Sequence, residues 1–337
     1  MFKLKIRFLI VLLISTFLTF LYFVSINSKL LYITGNVSKI QEVFPKNAKL
    51  DSKFSAICDS NRKKYKKECL DLFQELKNPD LNSFYRPPLD KPPDYLLNEF
   101  TQNGEMPITK YWYFNDVYSD AAQKITTHKE VISKSTVDSF RLKDNNRARN
   151  YYGDSYNQRL MPKYSSFIKG KSMIVLGTVE PWLEAIALDA GAAKVITLEY
   201  TRKEYEQKDI LLWLHTYDYL NYLIKNNKIE EYDNAASFSS IEHSGLGRYG
   251  DPLDPNGDIK TVKQVHCMIK PGGIFFLGLP ASNDNSSYIE FNAHRVYGAK
   301  RLNKLFVGWD LIEQNHDSKI SLEHSVFVLR KRNIEGC

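Results

Sequence analysis

An α/β domain on a mostly parallel sheet is what this sequence predicts, and three stretches predict it. The first, at 172–200, reads SMIVLGTVEPWLEAIALDAGAAKVITLEY. Residues 173–176 form a short, fully apolar run ending at Gly177, the pattern of a buried parallel strand. Pro181 suits a first helical position, and Leu183, Ile186, Ala187 and Ala190 recur at helical spacing. Gly191 can close that helix in a left-handed conformation, and 195–198 is a second apolar strand ending in Glu199. The second stretch, at 232–258, carries a strand at 235–238 followed by a long polar loop. The third, at 258–279, reads as a helix, a Lys270-Pro271-Gly272-Gly273 turn and an apolar strand at 274–279.

In nucleotide-binding folds of this kind, the carboxylate closing the second strand accepts hydrogen bonds from ribose hydroxyls, and the first turn lies against the rest of the cofactor. Taken alone, the unit is equally that of any parallel α/β protein. The flanking elements continue it: a helix over 202–214, then at 215–219 either a third-strand end with Asp218 near a cofactor base or a plain surface turn, a helix over 295–305, and strands at 309–312 and 326–329.

Of the 337 residues 43% are hydrophobic, which is globular composition. The formal charge of +7 is spread along the chain. With no basic stripe or zinc-finger spacing, nucleic-acid binding is not indicated. Residues 8–26 are an uncharged apolar run long enough to span a bilayer core, preceded by Lys3, Lys5 and Arg7. That bias predicts a type II signal anchor: a cytosolic tail at 1–7, a transmembrane helix at 8–26, and the remainder in the ER or Golgi lumen. Secretion after signal cleavage is the alternative, although the cleavage site offered near Ser25 and Ser28 is poor. Asn36-Val37-Ser38 and Asn285-Ser286-Ser287 are glycosylation sequons. Of the four cysteines, Cys58 and Cys69 flank the basic segment DSNRKKYKKE and are candidates for a local disulfide, Cys267 reads as a buried thiol, and Cys337 is terminal. Residues 27–149 read as a stem and accessory region, with one or two amphipathic helices before Pro79 and a stiff proline-rich connector at 86–95. The aromatic cluster of Tyr111, Trp112, Tyr113, Phe114 and Tyr118 either packs the stem on the main domain or lines a substrate cleft.

The loop after 235–238 emerges where an open parallel sheet binds its ligands. It gathers Ser239, Ser240, Glu242, His243, Arg248, Tyr249, Asp251 and Asp254. Glu242 and His243 are the candidate general acid and base, because an imidazole titrates near neutral pH and a neighbouring carboxylate tunes it. Asp251 is the third catalytic candidate. The other reading is a hydrogen-bonded loop folded over the sheet edge.

The motifs VLGTVEPWLEAIALDAGAAKVITLEY, SFSSIEHSGLGRYGDPLDPNGD and KPGGIFFLGLP resemble a nematode-expanded family of unknown function, itself similar to class I S-adenosylmethionine-dependent methyltransferases. The resemblance covers about 150–332 and implies a Rossmann-like sheet whose final strand pair is antiparallel. It further implies S-adenosylmethionine as cofactor, with Gly177, Thr178, Glu180, Glu199, Asp218, Ser237 and Ser239 in its site. His243 would be the base that takes a proton from the methyl acceptor, a glycan or small metabolite. The chain departs from the methyltransferase pattern in its first turn, where Gly177 alone stands for several glycines. Ser239 occupies the position where some relatives place a metal-binding glutamate, so no metal site is expected. Two other readings stand beside active methyl transfer. One is a non-catalytic binding module on the same fold. The other is a membrane-anchored glycosyltransferase, which the anchor and stem suggest but the lack of any Asp-x-Asp triplet opposes.

Overall fold

A computed structural model of the chain describes residues 52–77, 89–115, 130–141, 160–200, 203–249, 251–282, 284–316 and 324–334. The expected anchor at 8–26, the first sequon, Tyr118 and Cys337 lie outside them. No helix among the described residues is long and apolar enough to cross a membrane. The described residues from Ser60 onward belong to one compact unit.

The main sheet has seven strands: β3 (Ser172–Leu176), β4 (Lys194–Glu199), β6 (Leu211–His215), β7 (Asn234–Phe238), β8 (Ile274–Pro280), β11 (Trp309–His316) and β12 (His324–Lys331). Their order is β11-β12-β8-β7-β3-β4-β6. The five strands from β8 to β6 run parallel, while β12 is antiparallel to both β8 and β11. Strand order reverses between β3 and β7, and in open sheets ligands bind at such a reversal.

Period-two alternation explains why the central strands carry no polar face. In β3, Met173 and Val175 enter one hydrophobic cluster, and Ile174 and Leu176 enter the other. Helix α5 (Trp182–Asp189) covers the first face with Leu183, Ala185, Ile186 and Ala187. The second face is covered by α6 (Thr216–Lys225) and α7 (Gly257–Met268), and by Phe73 of the long helix α1 (Ser52–Lys77). Each fully buried Leu or Phe contributes about 1.5–3 kcal/mol, so a sheet covered on both faces is the stable solution for such strands.

Two small sheets flank this one. In the first, β1 (Ile108–Tyr111) pairs parallel with β9 (Tyr288–Phe291), which pairs antiparallel with β10 (His294–Val296). In the second, β2 (Glu130–Ile132) pairs parallel with β5 (Lys203–Tyr205). The remaining helices are α2 (Asp94–Phe100), α3 (Lys134–Ser139), α4 (Ser165–Ile168) and α8 (Ala299–Leu305). Phe100 and Met106 pack with Leu246, Ile289 and Phe291. Segments read as a stem are thus built into the unit that holds the main sheet.

Four expectations are corrected. The helix expected over 202–214 is β5 and β6, because Leu211–His215 completes a parallel ladder on the edge of β4 and a turn at 206–210 separates the two strands. Asp218 is therefore not at a strand end: His215 closes β6, and Asp218 sits in the first turn of α6, where a carboxylate suits the helix dipole. The helix expected over 295–305 begins only at Ala299, since Arg295 lies in β10. The proline-rich connector gives way to α2 at Asp94, with Pro93 as its N-cap.

The cysteine reading is corrected too. Cys69 is bonded to Cys267, with a Cα–Cα distance of 5.6 Å, and Cys58 is also disulfide-bonded. Cys58 and Cys69 share one continuous helix, whose rise of 1.5 Å per residue separates them by about 16 Å, beyond the reach of a disulfide.

Candidate functional site

The turn leaving β3 is shaped by Gly177. Its φ is +67°, and a Cβ there would lie 1.7 Å from Ser240 Oγ, so only glycine fits. The turn continues through Thr178, whose Oγ1 donates to the Glu180 carbonyl at 2.5 Å, and Lys203 Nζ donates to the Val179 carbonyl at 2.5 Å. Beneath it lies Glu184, fully buried in α5. Its carboxylate accepts from Thr197 Oγ1 at 2.7 Å and from the Tyr205 hydroxyl at 3.3 Å. Burial pushes this carboxyl up to about 7, against the pull of those bonds and of Lys203. A polar network from β4 and β5 therefore holds the turn from below.

The facing wall comes from the end of β7. Ser239 has φ +49°, a left-handed conformation that costs a non-glycine residue about 1–2 kcal/mol. In that conformation its N–H donates to the Gly278 carbonyl and its Oγ donates to Glu242 Oε1 at 2.9 Å. Glu242 is 1% exposed, and its Oε2 has no hydrogen-bond partner among the described residues. Burial pushes its carboxyl up to about 7. His243 Nδ1 lies 2.5 Å from the Ala293 carbonyl, which can only accept, so Nδ1 carries the proton and Nε2 is left as an acceptor. Nε2 stands 3.7 Å from Glu242 Oε1. Burial first, then the positive charge of Arg248, pushes the imidazole down to about 3, so the ring is neutral at pH 7. His324 Nε2 lies 3.4 Å from Ser239 Oγ and 3.9 Å from Glu242 Oε1.

The loop between His243 and α7 is irregular but fixed. Asp251 Oδ2 accepts from the backbone N–H of Gly245 at 2.6 Å and of Gly247 at 3.3 Å, while Oδ1 accepts from that of Tyr249 at 3.3 Å. From inside, the fully buried Arg295 donates to the carbonyls of Glu242 (3.3 Å), Ser244 (2.6 Å) and Asp254 (3.1 Å).

Between these walls is a cavity of about 530 Å³, within the size range of small-molecule sites. Six of the sequence candidates line it: Gly177, Thr178, Glu180, Ser239, Glu242 and His243. Four do not. Ser237 donates to the Leu176 carbonyl across two strands, Asp251 is occupied in organising its loop, and Asp218 points outward, 84% exposed, 3.5 Å from His215 Nδ1. Glu199 stands at the end of β4, one strand over, where its Oε1 accepts from the Tyr200 N–H at 2.7 Å. Among the lining residues that carried no signal for the site in the sequence are Trp182, His294 and His324. Only tertiary pairing reveals the histidines, since His324 reaches the site through its register opposite Pro280. Among the described residues no group of three or more His, Cys, Asp or Glu is placed to hold a metal ion.

None of the curated proteins matches the chain. Among solved structures it is similar to the Burkholderia thailandensis 1,6-didemethyltoxoflavin-N1-methyltransferase with bound 1,6-didemethyltoxoflavin and S-adenosylhomocysteine, at 13% identity and TM-score 0.40, over 59% of this chain and 86% of that one. It is likewise similar to the N-methyltransferase NodS from Bradyrhizobium japonicum WM9 in complex with S-adenosylhomocysteine, at 10% identity and TM-score 0.40, over 59% and 97% of the two chains. The cyclase SpnF also matches, at 9% identity and TM-score 0.38, over 56% and 86%. At such scores, reaction and substrate are left to the site's own residues. Residues 170–334 match the family described as Caenorhabditis protein of unknown function, DUF268, and it is to that family that the domain belongs.

Proposed function

We propose that the chain is an S-adenosylmethionine-dependent methyltransferase acting on a small-molecule or glycan acceptor in the secretory pathway. The observation that carries this reading is the cavity at the carboxyl ends of β3, β7 and β8, walled on one side by the first turn and on the other by a buried carboxylate with an unpartnered oxygen. The residues fit the cofactor at two places: Glu199 closes the strand after the first turn, as the ribose-binding acid does, and the cavity lies against that turn. The bound cofactor would supply an electrophilic methyl group on a sulfonium. Glu199 would accept from the ribose hydroxyls, and residues 177–180 would border the amino-acid end.

Glu242 is better suited than His243 to take the acceptor's proton. Catalytic proton transfer is most effective when the group's proton affinity matches the working pH, and Glu242 meets that condition at about 7 whereas His243 has been pushed to about 3. Glu242 Oε2 would receive the proton that the acceptor O–H gives up as its oxygen is methylated. His243, proton-bearing on Nδ1, would orient the acceptor by accepting from it at Nε2.

A non-catalytic reading is favoured by one observation: Ser240 fills the space in front of Gly177, where a ligand would otherwise approach the backbone. Calorimetric titration of the full chain with S-adenosylmethionine and S-adenosylhomocysteine decides between them. Micromolar binding that weakens at least about tenfold in Glu199→Ala, as expected for losing a charged hydrogen bond, supports the enzyme; no binding by the folded chain leaves the binding module.

The secretory-pathway reading, a lumenal domain on a type II anchor or a secreted form, is supported by the Cys69–Cys267 disulfide, since such bonds persist in oxidising compartments. Asn285, the acceptor of the second sequon, is exposed in a turn. Glycosidase treatment of the protein expressed in animal cells should shift its mobility, and Asn285→Gln should reduce that shift; a protease-sensitive, unglycosylated C-terminal domain in intact microsomes would refute the placement.

A further inference from the structure

The cavity combines an apolar lining with one compact polar group. Leu176, Trp182, Leu183, Phe238 and Pro280 supply the first, with Trp182 and Phe238 meeting edge to face at 5.5 Å. The polar group comes from the loop after β7 and from β10. Glu242 Oε1 lies 3.7 Å from His243 Nε2, and the His243 and His294 ring centres are 6.4 Å apart. Glu242 Oε2 and His294 Nε2 are buried with no hydrogen-bond partner among the described residues. His243 Nε2, left as an acceptor, faces Glu242 beyond hydrogen-bond distance.

These atoms constrain what can sit against them. A carboxylate and His243 Nε2 only accept, so each takes a donor from the ligand. His294 is held neutral chiefly by burial, and a hydroxyl satisfies its Nε2 in either tautomer, because a hydroxyl both donates and accepts. Two hydroxyls side by side therefore match Glu242 and His243. The rest of the ligand meets the apolar lining, where a further polar group would be buried without a partner. A flat hydrocarbon ring with hydroxyls along one edge satisfies both demands, whereas a sugar carries hydroxyls around its whole rim. Acidity points the same way. A phenol titrates at about 10 and an alkyl hydroxyl, like water, at about 16, so a carboxyl raised to about 7 is far better matched to the phenol. The match makes no call on Arg248, whose guanidinium packs beside the Phe114 and Tyr249 rings.

We propose that the acceptor is an ortho-diphenol, an uncharged aromatic ring whose two neighbouring hydroxyls donate to the Glu242 carboxylate and to His243 Nε2. His294 Nε2 stands beside the second hydroxyl. Methylation of the hydroxyl at Glu242 rests on the methyltransferase reading; recognition of the diphenol does not.

The test is calorimetry on the full chain, under nitrogen, with 4-methylcatechol, 4-methylphenol and methyl mannoside, a sugar with two neighbouring hydroxyls. The catechol should bind about fivefold more tightly than the phenol, the worth of one hydrogen bond between uncharged groups, and at least about tenfold more tightly than the sugar. His243→Phe keeps a ring but removes Nε2, and should bring the two phenols within about twofold of each other. An unchanged melting temperature establishes that the variant folds, and the comparison of ligands on the wild-type chain needs no variant. Equal affinity for catechol and phenol, or a His243→Phe chain that keeps the preference, overturns the proposal. Tighter binding of the sugar overturns the aromatic assignment. A parallel titration with S-adenosylhomocysteine separates the two claims. If it binds while neither phenol does, the acceptor proposal fails alone; if the catechol binds as expected while it does not, the enzyme reading fails and the diphenol site stands.

Discussion

Replacing Glu242 by Gln tests the buried carboxyl by its effect on stability, independently of any acceptor. The folded chain holds the Glu242 proton more tightly than an exposed glutamate would, with its titration raised from 4.5 to about 7 by burial. A group raised in this way contributes stability that is fully present below the unfolded value and lost as pH rises through the folded one. At about 1.4 kcal/mol per pH unit, the loss from Glu242 approaches about 3 kcal/mol above pH 8. Gln keeps an oxygen for the Ser239 hydroxyl but places an NH₂ where Oε2 has no partner, at a pH-independent cost of about 1–3 kcal/mol. The prediction therefore concerns the slope. In urea unfolding of the full chain with disulfides intact, the stability of Glu242→Gln minus that of the wild type should rise by about 2–3 kcal/mol between pH 5 and pH 8. Glu184→Gln serves as comparison, because Glu184 is raised to about 7 for the same reason but does not line the cavity. A flat difference for Glu242→Gln would mean that its carboxyl is hydrated, and would remove the basis for its role as a proton acceptor near neutral pH.

Further expectations concern the scaffold. The Cys69→Ala/Cys267→Ala double variant opens a link spanning 198 residues of sequence and should lose about 2–5 kcal/mol in urea unfolding; an unchanged midpoint would refute the contribution of this bond. Gly177→Ala should cost about 1–3 kcal/mol from its positive φ and from collision with Ser240, and adding Ser240→Gly should recover the collision part, read as a partial return of the melting temperature. Arg295→Met should destabilise by about 3–5 kcal/mol, since it strips the Ser244 carbonyl of its donor and takes one of two arginines from beside the buried Asp258. Its amide exchange should accelerate first in 244–256, and uniform protection there would show that the loop does not depend on Arg295.

How much of this was legible in the sequence depended on whether each element's environment was written locally. The strands β3, β7 and β8 were, because burial on both faces leaves an unbroken apolar run bounded by glycine or polar turns. The edge strand β6 was not. Ile210, Leu211 and Leu214 fit helical spacing as well as alternation, and only the ladder to β4 decides between them. Glu242 and His243 were found because they lie four and five residues past Phe238, the last residue of β7, where ligand loops begin. Trp182 was read only as part of a helix, and His294 and His324 join Glu242 in the cavity lining across 50 and more residues of sequence. The Cys69–Cys267 bond was hidden for the same reason: spacing along the chain favoured the nearer cysteine, while the length of α1 made that pairing impossible.

The loop behind Glu242 explains how the fold sustains a carboxyl it would be more stable without. An unpartnered buried oxygen, a serine at positive φ and a run of non-repetitive backbone are each costly, and all three occur between Ser239 and Asp254. Opposite them stands a set of buried charges with partners: Arg295 reaches four carbonyls of the loop, and Asp258 takes Arg301 Nε at 3.0 Å while lying 3.8 Å from Arg295. Both arginines and Asp258 are essentially fully buried; Arg295 Nε makes no hydrogen bond among the described residues, while its Nη groups hold the loop carbonyls and Arg301 pairs with Asp258. Its geometric effect is to fix the loop at the height of the Glu242 carbonyl, which Arg295 itself binds. If Glu242 served packing alone, a leucine there would remove both the orphan oxygen and the burial penalty. The fold instead holds an uncompensated acid at a cavity wall with a rigid arginine scaffold behind it, and that distribution of cost is what a proton-transferring group requires.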